Sequence, residues 1–144
     1  MHDEIAIEFW NGVEEFNQQQ FYACHDTLEA IWMEAMEPQR TFYQGVLQIA
    51  VALYHLENEN WRGSVTLLGE GIRRLGAYQP DYGEVNVTEL VMQSAALLGM
   101  LQQAGAEQVG EIRRSLHFTG STFPSVIKNQ PNPSVQLPYI RKIS

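Results

Sequence analysis

Apolar residues recur along this chain at intervals of three and four positions, the spacing that places side chains on one face of an α-helix. These stripes predict helices over about residues 3–17, 20–35, 38–57, 61–75, 86–104 and 107–116. The pattern therefore predicts an all-α fold, in which five or six helices pack as antiparallel hairpins.

The third predicted helix differs from the others because it has almost no polar face. Residues 46–56 are apolar on nearly every side of a helix, and such a helix is normally buried. We therefore expect a central buried helix with the other helices packed around it. Glycines inside the predicted helices are interpreted as sites of close helix approach; they are Gly45, Gly63, Gly69 and Gly71.

Residues with capping preferences mark the ends of several predicted helices. Asn60 precedes the fourth helix and is a favoured N-cap residue. Gly76 follows that helix, with Pro80 just beyond it, and is expected at the C′ position. The segment from Asn86 to Glu89 resembles a capping box, which predicts the start of the fifth helix.

Proline changes the prediction for the C-terminal part of the chain. Four prolines and Gly120 follow Phe118, so this segment cannot form a long helix. Apolar residues within it suggest a strap laid over the helices; they are Val126, Ile127, Val135, Leu137 and Ile140. We predict a helical domain over residues 1–117 and an extended, Pro-rich tail over residues 118–144 that packs on the domain.

The net charge of −8 is unevenly distributed. Residues 1–39 contain nine carboxylates and no Lys or Arg, whereas residues 40–144 contain eight carboxylates and nine basic residues. The acidic segment argues against nucleic acid as the partner, because binding to phosphate backbones requires clustered cations. After Glu111 the chain has basic residues and no acidic ones, so we expect the tail to dock against the acidic first helices. This docking would occur within one chain or across a homo-oligomer.

Length and composition indicate one globular domain. The chain has 144 residues, of which 44% are hydrophobic and 18% charged, as in ordinary folded proteins. No apolar run reaches the length of about 18 residues that spans a bilayer, so no membrane partner is expected. The single cysteine, Cys24, excludes an internal disulfide, and the acidic N-terminus is unlike a signal peptide. We therefore expect a cytoplasmic protein.

Polar residues also occur where helix packing favours apolar ones. His25 and Glu29 are four residues apart on the second helix, and Gln44 and Gln48 are four apart on the third. If these helices form an antiparallel hairpin, the residue numbers of any two facing residues add up to the same value. The pairs His25–Gln48 and Glu29–Gln44 share a sum of 73 and would lie at matching heights. The sequence therefore predicts one internal polar cluster.

Two further residues lie near the expected cluster. His55 is about 10 Å beyond Gln48 at a rise of 1.5 Å per residue, and is expected beside residues 17–18. Trp32 follows Glu29 by three residues. It either anchors the core at the end of the hairpin or forms an aromatic wall over a pocket at Glu29.

The cluster has three interpretations. In the structural one, the polar side chains satisfy one another and hold the hairpin in register. In the functional one, His25 and Glu29 transfer protons, with Asp26 auxiliary and Gln44 and Gln48 binding a ligand. In the third, His25 and Glu29 bind a metal, although the chain has neither a two-histidine zinc motif nor a Glu-x-x-His pair. The sequence identifies no cofactor.

The thiol of Cys24 is not predicted to be a nucleophile. Cys24 and His25 are adjacent on a helix and point about 100° apart, so the imidazole cannot readily activate the thiol. Cys24 is therefore interpreted as a small core residue.

Four motifs together resemble a known family. They read Phe16-Asn17-x-x-x-Phe21, His25-Asp26-x-x-Glu29-x-x-Trp32, Phe42-x-Gln44-Gly45-x-x-Gln48-x-Ala50 and Gly63-x-x-x-Leu67-Leu68. With this spacing, residues 5–77 or so resemble DUF309, a group of small prokaryotic all-helical proteins of unknown function. The family pattern usually has Glu where this chain has Asp26. The resemblance implies a compact, cytoplasmic, multi-helix domain with no established activity.

Three classes of function follow, in order of preference. Stacked helical hairpins often present a groove, so a binding or scaffolding module for an unknown protein or peptide comes first. The second is a small enzyme or ligand-binding protein that uses His25 and Glu29 on a small polar molecule. The third is a structural subunit whose acidic head and basic tail form an assembly interface.

Overall fold

The computed structural model of the protein describes residues 5–116, 118 and 135–143. Six α-helices account for most of this part: α1 (Ile7–Asn17), α2 (Phe21–Glu34), α3 (Gln39–Glu57), α4 (Trp61–Leu75), α5 (Val87–Ala104) and α6 (Val109–Ser115). The predicted all-α fold is confirmed, and the predicted short sixth helix is formed.

The core is built around α3, as its apolar pattern predicts. Ten of its nineteen residues are buried, and it packs against both α2 and α4. Phe9 of α1 stacks on Phe42 and Tyr43, with ring centroids 5.5 and 5.7 Å apart. Burial of one such side chain contributes about 1.5–3 kcal/mol. None of the helices in the described part is both long enough and apolar enough to cross a membrane.

Glycine allows α3 and α4 to approach closely. A Cβ atom added to Gly71 would lie 2.9 Å from the carbonyl oxygen of Gly45, closer than such contacts occur. Gly63 likewise leaves room for the ring of His55, which would lie 2.8 Å from an added Cβ. Gly69 has no neighbouring atom within 4 Å, so the expectation of close approach is wrong at that position.

Asparagine caps the two helices where the sequence predicts it. The Asn60 side chain accepts a hydrogen bond from the Gly63 amide (2.9 Å), and the Asn86 side chain accepts one from the Glu89 amide (3.0 Å). The return half of the capping box is not formed, because the Glu89 carboxylate accepts hydrogen bonds from Arg141 instead.

The connection between α4 and α5 contains two features that the sequence did not predict. Gly76 has a right-handed helical conformation and begins a 3₁₀ turn, so its expected C′ role is wrong. A small antiparallel hairpin follows, formed by β1 (Asp81–Tyr82) and β2 (Val85–Asn86). Its turn contains Gly83 with a φ of 53°, a conformation that glycine adopts readily.

Residues 135–143, here called the C-terminal strap, join the end of α1 to β2. The Asn17 side chain donates to the Ile140 carbonyl oxygen (2.8 Å) and accepts from the Ile140 amide (2.9 Å). Val85 pairs with Lys142 in an antiparallel bridge. Three strap residues are buried, namely Val135, Pro138 and Ile140. The strap therefore packs on the helices by apolar contacts and by backbone hydrogen bonds.

The charge pattern predicted that the basic residues of the tail would dock against the acidic first helices, and their ion pairs lie elsewhere. Arg141 lies 2.8 Å from Glu89 and Lys142 lies 3.6 Å from Glu84, so both ion pairs involve residues beyond the acidic first helices. Lys142 also contacts α1, where its ammonium group lies 5.0 Å from the ring centroid of Trp10.

Part of the predicted tail lies outside the described residues. Val126 and Ile127, which were expected in the strap, belong to this part. The division into a helical domain over residues 1–117 and a tail over residues 118–144 stays a prediction.

Candidate functional site

His25 lies between two carboxylates on a partly exposed face of α2. Its Nδ1 is 3.1 Å from Asp26 Oδ1, and its Nε2 is 3.9 Å from Glu29 Oε2. The His25 and Glu29 side chains are 30% and 47% exposed. The i, i+4 spacing brings these two groups together, as predicted. A proton-transfer role for the pair is chemically consistent with this geometry and stays a prediction.

Gln44 and Gln48 do not join His25. Gln48 Nε2 donates to Glu70 Oε1 (3.0 Å), and Arg74 Nη1 donates to Gln48 Oε1 (3.2 Å), so Gln48 contacts α4 and not α2. Gln44 is partly exposed, and its side chain makes no hydrogen bond to another residue in the described part of the chain. The prediction of one internal cluster is therefore wrong.

His25 instead shares a small pocket with His55. The pocket has a volume of about 130 Å³ and is lined by Tyr22, His25, Val51, Tyr54 and His55. The Tyr22 ring centroid lies 5.4 Å from that of Tyr54 and 5.7 Å from that of His25. The expected position of His55 beside residues 17–18 stays a prediction. We call this site the tyrosine–histidine pocket.

The two tyrosines of this pocket were not predicted from the sequence. A pattern that could have identified them was present, because Tyr22 precedes His25 by three residues and therefore lies beside it on the helix surface. Tyr54 directly precedes His55, and their ring centroids are 6.2 Å apart.

Trp32 does not line the tyrosine–histidine pocket. It is partly buried against the core near the end of α2, and the guanidinium of Arg40 lies 4.5 Å from its ring centroid. Arg40 also donates a hydrogen bond to the Trp32 carbonyl oxygen (3.3 Å). These contacts favour the interpretation of Trp32 as a core anchor over that of an aromatic wall at Glu29.

The described residues offer limited ligands for a metal. Among residues 5–116, 118 and 135–143, no three side chains of His, Cys, Asp or Glu are grouped so that they could hold an ion. The structural role predicted for Cys24 has physical support, since the residue is fully buried. Burial and the nearby Glu15 carboxylate raise the pKa of the Cys24 thiol well above its ordinary value, so that the thiol remains protonated.

A long, open groove runs between α1 and α2. It consists of two adjoining cavities of about 670 and 600 Å³, which share Glu8, Ala30 and Ile31 in their walls. We call it the α1–α2 groove. Stacked helical hairpins predicted a groove for a partner, but the sequence did not indicate where on the molecule it lies.

The α1–α2 groove combines apolar side chains with carboxylates along its length. The first cavity is lined by apolar residues together with Glu8 and Glu34; the apolar ones include Ile5, Ile31, Ala35, Met36 and Tyr43. The second cavity is lined by Glu8, Glu14 and Glu15, with Ala30 and Ile31 among its apolar residues. Glu15 Oε1 is buried and has no hydrogen-bond partner within the described structure. No Lys or Arg is among the described residues that line either cavity.

Comparisons with known proteins concern mainly the N-terminal half of the chain. The model of DUF309, a domain of unknown function, matches residues 9–67. The uncharacterized protein YpuF of Bacillus subtilis (strain 168) is 38% identical over 58 residues, which make up 40% of this chain and 33% of YpuF. The matched segment thus spans about a third of that relative. No solved structure is significantly similar to the chain. The DUF309 resemblance that the four motifs predict is therefore confirmed over residues 9–67.

Proposed function

We propose that this protein is a binding module whose α1–α2 groove holds a basic, amphipathic helical segment of a partner protein. The observation that carries the proposal is the combination of apolar side chains and carboxylates in one open groove. An amphipathic helix can occupy such a groove, because its apolar face contacts the apolar side chains while its basic side chains reach the carboxylates.

The charge distribution supports a basic partner. The groove is formed by α1 and α2, and residues 1–39 contain nine carboxylates and no Lys or Arg. A field of one sign accelerates encounter with an oppositely charged partner and disfavours acidic ones.

Exposed apolar side chains on the elements that form the groove support a protein partner. Met36, which lines the groove, is 80% exposed, Ile7 of α1 is 82% exposed and Met33 of α2 is 66% exposed. Apolar side chains in contact with water are available for interaction, and methionine adapts readily to different partner shapes.

The dimensions of α1 limit the length of the bound segment. α1 has 11 residues and, at 1.5 Å per residue, is about 16 Å long. A partner helix of about three turns would cover it.

The proposal can be tested with a designed peptide. The probe is a helical Lys/Leu peptide of about 12 residues, the length that matches α1, with leucines on one face. We expect saturable binding by fluorescence anisotropy that weakens as salt is added. A peptide of the same composition without an amphipathic face, and one with Glu in place of Lys, are expected to bind far more weakly.

Charge reversal in the protein provides the matched control. The double substitution E8K/E34K places two cations in the groove and is expected to weaken peptide binding by about tenfold or more. The double substitution E107K/E111K makes the same charge change at exposed positions outside the groove, and is expected to have little effect. Equal losses in both variants, or equal binding of all three peptides, would contradict the proposal. A dimer that dissociates on E8K/E34K would identify a second copy as the occupant instead.

We also propose a cytoplasmic location for this module. The single cysteine is a buried free thiol, and free thiols are most common in proteins of reducing compartments. Fractionation of cells that express the tagged protein tests this location directly.

A further inference from the structure

The tyrosine–histidine pocket has features of a ligand site that the proposed protein-docking role does not use. It lies between α2 and α3, whereas the α1–α2 groove is lined by other residues. Tyr22 is 58% exposed, so its ring is not needed to fill the core. The planes of Tyr22 and Tyr54 are inclined by 59° and those of Tyr22 and His25 by 47°, so the rings form a concave aromatic surface.

The geometry of the rings defines where a ligand can lie. Tyr22 and Tyr54 are in contact at a centroid distance of 5.4 Å, which leaves no space for a group between them. A ligand therefore lies over the ring faces, in contact with Val51 and the imidazoles. The volume of about 130 Å³ is well below that of sites for whole metabolites, which hold about 300–1,000 Å³. The pocket therefore accommodates the head group of a molecule.

The surrounding charges favour a cation. Asp26 and Glu29 flank His25, one of the residues that line the pocket, with carboxylate oxygens 3.1 and 3.9 Å from its ring nitrogens. α2 has no Lys or Arg, and the one such residue of α3, Arg40, stacks on Trp32 outside the pocket. An anionic ligand would be repelled by the two carboxylates, whereas a cation would be attracted both by them and by the aromatic faces.

We propose that the tyrosine–histidine pocket binds the substituted ammonium head group of a small organic cation. An alkylated ammonium fits better than a metal ion or a primary ammonium, because its charge is carried on an apolar surface. The group can therefore contact the ring faces of Tyr22 and Tyr54 without losing a tightly held hydration shell. Asp26 and Glu29 supply the counter-charge beside His25.

The test is an NMR titration of the full chain with tetramethylammonium chloride, observed on the aromatic resonances of Tyr22 and Tyr54. We expect saturable shifts of these resonances. Sodium chloride at the same ionic strength should produce no saturable shift. Neopentyl alcohol, which has nearly the same shape without the charge, should bind much more weakly. Equal binding of the neutral compound, or the absence of any saturable shift, would overturn the proposal.

Substitutions separate cation binding from a general effect on the fold. Y22L removes the ring face at an exposed position and is expected to weaken binding about two- to fivefold, the range of a cation–π contact at an exposed site. Y22F keeps the face and should bind as the unchanged protein does. Y139L removes a comparably exposed tyrosine outside the pocket and should have no effect. A loss of binding in Y139L equal to that in Y22L would refute the assignment.

Discussion

At the scale of single residues, two glycines of α4 have opposite surroundings. Gly71 faces the α3 backbone, where an added Cβ atom would lie 2.9 Å from the carbonyl oxygen of Gly45. Backbone atoms cannot move aside as a flexible side chain can. We therefore expect Gly71→Ala to separate α3 from α4 and to lower the free energy of unfolding by about 1–3 kcal/mol in urea denaturation.

Gly69 provides the matched control on the same helix. It has open space around its Cα, so Gly69→Ala removes backbone freedom from the unfolded chain without a steric cost. We expect this variant to gain about 0.5–1 kcal/mol of stability. Equal destabilisation of the two variants would show that the close approach of α3 and α4 is not what requires glycine.

The spacing of residues within one helix predicted their contacts better than the pairing of residues between two helices did. The i, i+4 spacing of His25 and Glu29 is a local property, and the two side chains do meet. The sum of two residue numbers, in contrast, shows only whether the residues lie at the same position along the axes of two antiparallel helices. It does not show the direction in which each side chain points. Gln48 contacts α4 for this reason, while Tyr54 faces α2.

At the scale of elements, features encoded by neighbouring residues could be predicted and those encoded by distant residues could not. The helices follow from apolar spacing, and the Asn60 and Asn86 caps depend on amides three residues away. The bridge between Val85 and Lys142 joins segments that are far apart in sequence, and two-residue strands carry no periodic pattern of their own. The β hairpin was missed for that reason.

Asn17 is the residue of α1 that makes hydrogen bonds with the C-terminal strap in the described structure. The amide of Asn17 makes two hydrogen bonds with the backbone of Ile140. At about 1 kcal/mol for each bond, Asn17→Ala is expected to lower the free energy of unfolding by about 1–3 kcal/mol. Amide hydrogen exchange at Ile140 should accelerate in the same variant, because its N–H loses its acceptor.

Asn11 allows this effect to be separated from a change in helix propensity. It lies on the same helix, is exposed, and makes no contact with the strap. Asn11→Ala is therefore expected to leave exchange at Ile140 unchanged, with a stability equal to or slightly above that of the unchanged protein. If both asparagine variants lost stability to the same extent, the hydrogen bonds to Ile140 would not be the cause.

At the scale of the whole molecule, the carboxylates of the first two helices have no Lys or Arg as ion-pair partner within the part of the chain that the structure describes. There, the ion pairs of Lys and Arg involve Glu70, Glu84 and Glu89, and none of them involves a carboxylate of α1 or α2. None of the strap residues is among those that line the α1–α2 groove. Intramolecular packing and the proposed partner docking thus use separate surfaces.

The last prediction separates apolar from electrostatic docking of the strap. A chain that ends at Ser134 lacks Val135 and Ile140, both buried, and each contributes about 1.5–3 kcal/mol before the cost of ordering the segment. We expect it to lose about 2–4 kcal/mol of stability in urea denaturation and to keep its helix content by circular dichroism. The double substitution R141Q/K142Q removes the charges but keeps the apolar residues, and should cost much less. If the double variant lost as much as the truncated chain, and if high salt lowered the stability of the full chain equally, ion pairing would be the dominant interaction. A change of mass in solution on truncation would instead show that the strap joins two chains.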